Sequence, residues 1–192
     1  EPLWLVNTRW QAQDANWWPD FPTSALVVRD FYRLSRGYDV DGVIAVTPRF
    51  VESLLGLTGP AEVPEFGLTV DATSLRRILQ EAVEETYDRS LNQPKQVIGA
   101  LMPVLLDKLL SLPVDRLVEA GGVLSGALES RDLLLNAADG GLQAEIVDLG
   151  WAGQVLTAPS DYLMVVDTNV GGGKTDGVMS ESIEHEVEIG RD

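Results

Sequence analysis

Apolar residues recur in this sequence with two different periods, and segments of the two kinds alternate along the chain. Helical spacing appears over 23–36, where Val27, Phe31 and Leu34 fall on one face. Pro22 precedes this stretch, Thr23 or Ser24 can cap it, and Gly37 stops it. The same spacing predicts a short helix over 49–56, closed by Gly56. It predicts another begun by Asp71–Thr73, with Leu75, Ile78, Leu79, Ala82 and Val83 inward. A longer helix follows over 94–112, with Ile98, Leu101, Met102, Leu105, Leu109 and Leu110 on one face and Pro103 on the other. Two more are expected, from Asp115 to about Ser130 and over 141–149. Gly121, Gly122 and Gly126 are unfavourable inside a helix, which predicts close approach of a neighbour there. Between the helices lie strand-type stretches: VDGVIAVTP, LLLN at 133–136, and DYLMVVDTNV at 161–170, the strongest of them. LWLV at 3–6 reads as a short strand or an extended arm. Met179, Ile183, Val187 and Ile189 alternate with charged residues, as in a half-exposed strand. Helix and strand in alternation place the chain in the α/β (or α+β) class, with several helices on a small central sheet. The expected division is a single domain over 1–177 and a C-terminal strand over 178–192 that opens a following β domain.

Composition narrows the function. Thirty acidic against 14 basic side chains leave a net charge of −16 in 192 residues. Such a chain repels bare nucleic acid, whose binding depends on Lys and Arg neutralising phosphates. There is no cysteine and one histidine. Disulfides, thiolate metal sites and Cys nucleophiles are therefore excluded, and a Ser-His-Asp set finds no support around the lone His185. Beginning at Glu1, the sequence reads as a piece of a longer protein whose membrane anchor lies outside it.

Few residues point to chemistry. GGGKT at 171–175 lacks the glycine six positions before its lysine that a phosphate loop needs, since Thr168 stands there, and it reads as a turn. Asp39 and Asp41 flank Val40 and read as turn-capping acids, with a shared metal or proton as the alternative. Glu184, His185 and Glu186 lie on the alternating strand and form no metal motif; magnesium has no motif either. The scarce basic residues say more. Arg29, Arg33 and Arg36 share one helix face and form a candidate anion site, the alternative being a solvated face partly neutralised by Asp30. Lys95 stands at the start of the long helix, where free backbone N–H groups suit a phosphate. Ile98, Leu101, Met102 and Leu105 behind it are either core or the wall of an apolar pocket. Trp17, Trp18 and Trp151 are candidates for an interaction surface.

Taken together and in order, NWWPDFPTSA, VDGVIAVTP, LLGLTGP, ESRDLLL, LGWAG and VVDTNVGGGKTD over residues 14–178 resemble the bacterial family catalogued as domain of unknown function 4012. The resemblance implies an extracytoplasmic, membrane-anchored protein of the envelope of Gram-positive and related bacteria. More remotely, the order of a helix with small Ala25, then VDGVIAV, then a helix ending LLGLTGP resembles the LytR-CpsA-Psr family. That resemblance implies a shared core and, for an enzyme, a glycopolymer phosphotransferase-like activity on a polyprenyl-pyrophosphate-linked saccharide. The family's arginine-rich late motif would fall on DRSLNQPKQ, with Asp88, Arg89, Lys95 and Gln96. Here lysine replaces the arginine whose planar fork suits pyrophosphate. On this reading Arg89, Lys95 and the Arg29–Arg36 stripe face the phosphates of a lipid-linked saccharide or cell-wall glycan. The rival expectation is a non-catalytic structural or interaction module of the envelope.

Overall fold

The computed structural model describes residues 12–84, 96–159, 162–166, 180 and 182–187. Two compact units form, one of Gln11–Thr157 and one of Glu1–Trp10 with Ala158–Asp192. The larger unit is mixed helix and sheet: α1 (Phe21–Arg36), β1 (Gly42–Val46), α2 (Pro48–Thr58), β2 (Ala61–Val63), β3 (Leu68–Val70), α3 (Leu75–Glu84), α4 (Gln96–Leu110), α5 (Leu117–Glu129), β4 (Leu133–Ala137) and α6 (Gly140–Asp148). Among the described residues the strands form two antiparallel pairs, β1 with β4 and β2 with β3.

α2 organises the interior because it is apolar on two sides. Val51 and Leu55 join the β2–β3 hairpin (Ala61, Val63, Val70), α3 (Leu75, Ile78) and α4 (Val97, Leu101, Leu105) in one buried cluster. Phe50 and Leu54 turn the other way, to Ala127 of α5 and Leu133 of β4. The β1–β4 pair sets Val46 opposite Leu133 and Gly42 opposite Ala137. Side chains alternate across β4. Leu133 and Leu135 meet α2 and α5, while Leu134 lies on the other face, near Phe21 of α1. Gly42 is required in β1, because a Cβ there would run into the Asn136 carbonyl oxygen.

Several expectations are corrected. The cap of α1 is Asp20, whose Oδ2 accepts from the Thr23 N–H (3.1 Å) and the Thr23 hydroxyl (2.6 Å). Gly37 ends α1 as expected, with φ 81. The inward face of α1 is Phe21, Ser24 and Ala25, while Leu34 is 79% exposed, because the last turns run past the sheet. α2 continues through Gly56 to Thr58, since one glycine lowers helix propensity without ending a helix whose next turn buries Leu57. The glycines of α5 meet no neighbour: a Cβ at Gly121, Gly122 or Gly126 would find nothing within 4 Å. Residues 162–166 and 182–187 are in no regular strand and their side chains are exposed. Alternation proposes a strand, but only a hydrogen-bonded partner makes one. LWLV at 3–6 lies outside the described residues.

Candidate functional site

The hydrogen bonds that close the larger unit connect segments far apart in sequence. Asp20 Oδ1 accepts from the Val155 N–H (3.0 Å), and the Phe21 N–H donates to the Gly153 carbonyl (3.1 Å), so NWWPDF is tied to the chain just after LGWAG. Ser24, fully buried, donates to the Trp18 carbonyl at 3.0 Å. Partial burial works to raise the Asp20 pKa, but the bonds from Thr23 and Val155 outweigh it and hold the carboxyl below its ordinary range.

At the far end of the sheet, VTP meets ESRD. Thr47 caps α2, accepting from the Phe50 N–H at 3.4 Å, and its own hydroxyl donates to Asp132 Oδ1 at 2.6 Å. The Ser130 hydroxyl donates to Asp132 Oδ2 at 2.7 Å. These two bonds, Thr47 first, hold the Asp132 carboxyl below the usual carboxylate range, so it stays ionised and accepts hydrogen bonds rather than donating one. The N-terminus of α2 beside it favours the same charge. Arg49 Nη1 stands 3.8 Å from Asp132 Oδ2, with its side chain 73% exposed.

This polar end opens into a groove of about 290 Å³ between α2 and α5. Phe50, Val123 and Ala127 supply apolar walls, Gly122 and Gly126 a bare stretch of helix, and Arg49, Ser53, Ser130 and Asp132 the polar groups. The volume lies at the low end for small-molecule sites, and an apolar lining with a few convergent polar groups is their usual make-up. Of these residues only Gly122 and Gly126 stand out one by one in the sequence, and there as a close contact. Thr47 and Asp132 are 85 positions apart, and only β1–β4 pairing brings them together.

The candidates named from sequence are described only in part. Arg29 is half-buried on α1, and Arg33 and Arg36 are exposed. Arg33 pairs with Asp30 (2.8 Å) and approaches Asp39 (4.0 Å), so the stripe is partly neutralised on its own helix. α1 itself packs through Phe21 on the Leu134 face of the sheet, opposite that of Leu133 and Leu135. Leu101 and Leu105 are each 1% exposed in the core, with Met102 packed against them and Ile98 half-buried. Arg89 and Lys95 lie outside the described residues, as does GGGKT. Asp39 and Asp41 stand in the exposed turn before β1, where the Asp41 carbonyl accepts from the Ala138 N–H at 2.7 Å. Among the described residues no three His or acidic side chains group to hold a metal ion. Trp17 and Trp18 are 39% and 38% exposed, and Trp151 is half-buried.

No curated protein sequence and no solved structure matches this chain. The profile of one family matches, over residues 3–87, less than half of the chain. NWWPDFPTSA, VDGVIAVTP and LLGLTGP fall inside the match; ESRDLLL, LGWAG and VVDTNVGGGKTD fall beyond it. Over residues 3–87, then, this chain is similar to the family described as protein of unknown function (DUF4012).

Proposed function

We propose that the chain is an extracytoplasmic binding module of the cell envelope, and that the α2–α5 groove takes one anionic saccharide unit of a lipid-linked or wall glycan. The observation that carries this is the pairing, at one end of an apolar groove, of an ionised and hydrogen-bonded Asp132 with the exposed guanidinium of Arg49. A sugar ring lays its C–H face on apolar walls and offers hydroxyls to a carboxylate. Arg49 has donors left over for a phosphate or carboxylate substituent. Gly122 and Gly126 support the reading: each lowers helix propensity by about 1 kcal/mol with no internal packing in return, and both leave room in the groove. The order of α1, β1 and α2 supports kinship with the LytR-CpsA-Psr core as part of this proposal; binding, not phosphoryl transfer, is the role assigned to these residues.

Calorimetric titration with a hexosamine 1-phosphate, and with the neutral hexosamine, tests it. Saturable binding with Kd on the order of 0.1–1 mM is expected for the phosphate. Arg49→Ala should weaken it at least fivefold and leave the neutral sugar unchanged, while Gly126→Val should remove both. Absence of saturable binding by the wild type would overturn the proposal. A second reading, a protein-interaction module, is favoured by one observation: Tyr32, Leu34 and Tyr38 stand exposed at the end of α1, the two tyrosine rings edge to face at 5.5 Å. A partner captured through Tyr32 and lost in Tyr32→Ala, with no sugar binding, would select it.

A further inference from the structure

Among the residues that line the α2–α5 groove, Asp132 is the one acid and Arg49 the one base, and they are poorly matched. The Arg49 side chain is 73% exposed, whereas that of Asp132 is 14% exposed. Their nearest atoms stand 3.8 Å apart, beyond the limit of about 3.2 Å for an N–H···O hydrogen bond. The donors that do reach the Asp132 carboxylate are neutral hydroxyls, Thr47 on Oδ1 at 2.6 Å and Ser130 on Oδ2 at 2.7 Å. A carboxylate has about four acceptor positions, so about two remain open. Among the described residues no cation comes within hydrogen-bond distance of them. An anion withdrawn from water and met only by neutral donors is short of counter-charge. It is also fixed in place. Thr47 holds Asp132 twice, since its N–H donates to the Asp132 carbonyl at 2.9 Å while its hydroxyl holds the carboxylate.

We propose that Asp132 determines the specificity of the groove by selecting a saccharide unit that carries a free ammonium group as well as its phosphate or carboxylate. This rests on the saccharide reading of the groove and adds the charge pattern of the ligand. A purely anionic unit drawn to Arg49 comes to lie close to Asp132, inside a molecule that already carries −16. An ammonium turned toward Asp132 cancels that repulsion, so a unit with both charges answers both side chains. The ammonium brings three donors to the open acceptor positions, where a hydroxyl brings one. Hydrogen bonds between ionised partners are also about twice as strong as neutral ones. A hydroxyl or an acylated amine in the same place leaves the carboxylate charge as it was. The bonds from Thr47 and Ser130 keep Asp132 anionic at mildly acidic pH, where a sugar amine is protonated.

Calorimetric titration with glucosamine 1-phosphate and glucose 1-phosphate at mildly acidic pH is the test. The two differ by an ammonium in place of a hydroxyl and are nearly equal in size. Glucosamine 1-phosphate should bind at least about fivefold more tightly. In Asp132→Asn, which keeps the size of the side chain and one acceptor, the preference should shrink to within about twofold. Glucose 1-phosphate should bind that variant at least as well as the wild type, which also shows that its groove is intact. Arg49→Ala changes an exposed side chain and gives a second measure: both phosphates should weaken while the preference for the amine survives. Equal binding of the two ligands by the wild type would overturn the proposal and leave the saccharide reading standing. A preference that persists in Asp132→Asn, or disappears in Arg49→Ala, would overturn it in the same way. Binding of neither ligand would overturn the saccharide reading, and this proposal with it.

Discussion

Arg131 is the described non-glycine residue with a left-handed backbone, at φ 61. An L-residue there is disfavoured by about 1–2 kcal/mol. The strain sits between Ser130 and Asp132, both engaged in the bonds that fix the polar end of the groove, so the turn is held by its neighbours. Arg131→Gly is expected to raise stability by up to about 1 kcal/mol, or about 2–4 °C in melting temperature, and Arg131→Val to lower it by a similar amount. Thermal denaturation checks both; a less stable glycine variant would mean that the Arg131 side chain contributes contacts of its own. Sequence patterns reach this scale unevenly. Gly37 announces its left-handed cap by its identity. Arg131 gives no such signal, and neither does Asp20, whose role as cap and cross-link depends on Val155 being brought near.

The helices were largely legible because their apolar period is local, and β1 and β4 because their runs are bounded by turn residues. What each face touches was not. The α5 glycines read as a close contact, and the structure opens a groove beside them. Gly122→Ala and Gly126→Ala are each expected to stabilise the protein by about 0.5–1 kcal/mol while weakening any ligand of the groove. Urea denaturation beside the sugar titration separates the two effects, and destabilisation by alanine would show that the helix is packed after all. α4 allowed two readings, core or pocket wall, and burial of Leu101 and Leu105 places those two side chains inside. Leu101→Ala is accordingly expected to lower stability by about 2–5 kcal/mol, as read from the denaturation midpoint. A loss well under 1 kcal/mol would point to a cavity that tolerates the change.

For the molecule as a whole, acid titration joins the separate sites. The Thr73 hydroxyl, then the Ser74 and Thr73 N–H groups, hold Asp71 down at about 2, and Asp20 and Asp132 are also lowered. In the unfolded chain these carboxyls return to about 3.9. Below about pH 4 the unfolded state therefore binds protons that the folded state refuses, and stability falls as pH drops from there toward 2. Easing of the −16 self-repulsion works the other way between pH 6 and 4, and added salt suppresses it. Urea midpoints measured from pH 6 to 2 in 0.3 M salt should hold level and then fall below about pH 4, with a shallower fall in Asp71→Asn; a curve flat to pH 2 would contradict the assignment. At this scale the sequence was least informative. Its scarce cations suggested one convergent site, of which Arg29, Arg33 and Arg36 lie on α1 and Arg89 and Lys95 lie outside the described residues, and nothing local signalled that Arg49 and Asp132 would meet beside the α5 glycines.

The β1–β4 ladder carries a consequence for how the chain comes into being. Val46 must find Leu133, which emerges 87 residues later. At ordinary translation speed β1 spends about 4–17 s without its mate after leaving the ribosome. Through that interval Val43, Ile44 and Val46 form a sticky ribbon in the nascent polypeptide, so whatever escorts it must hold that ribbon until the second half is synthesised.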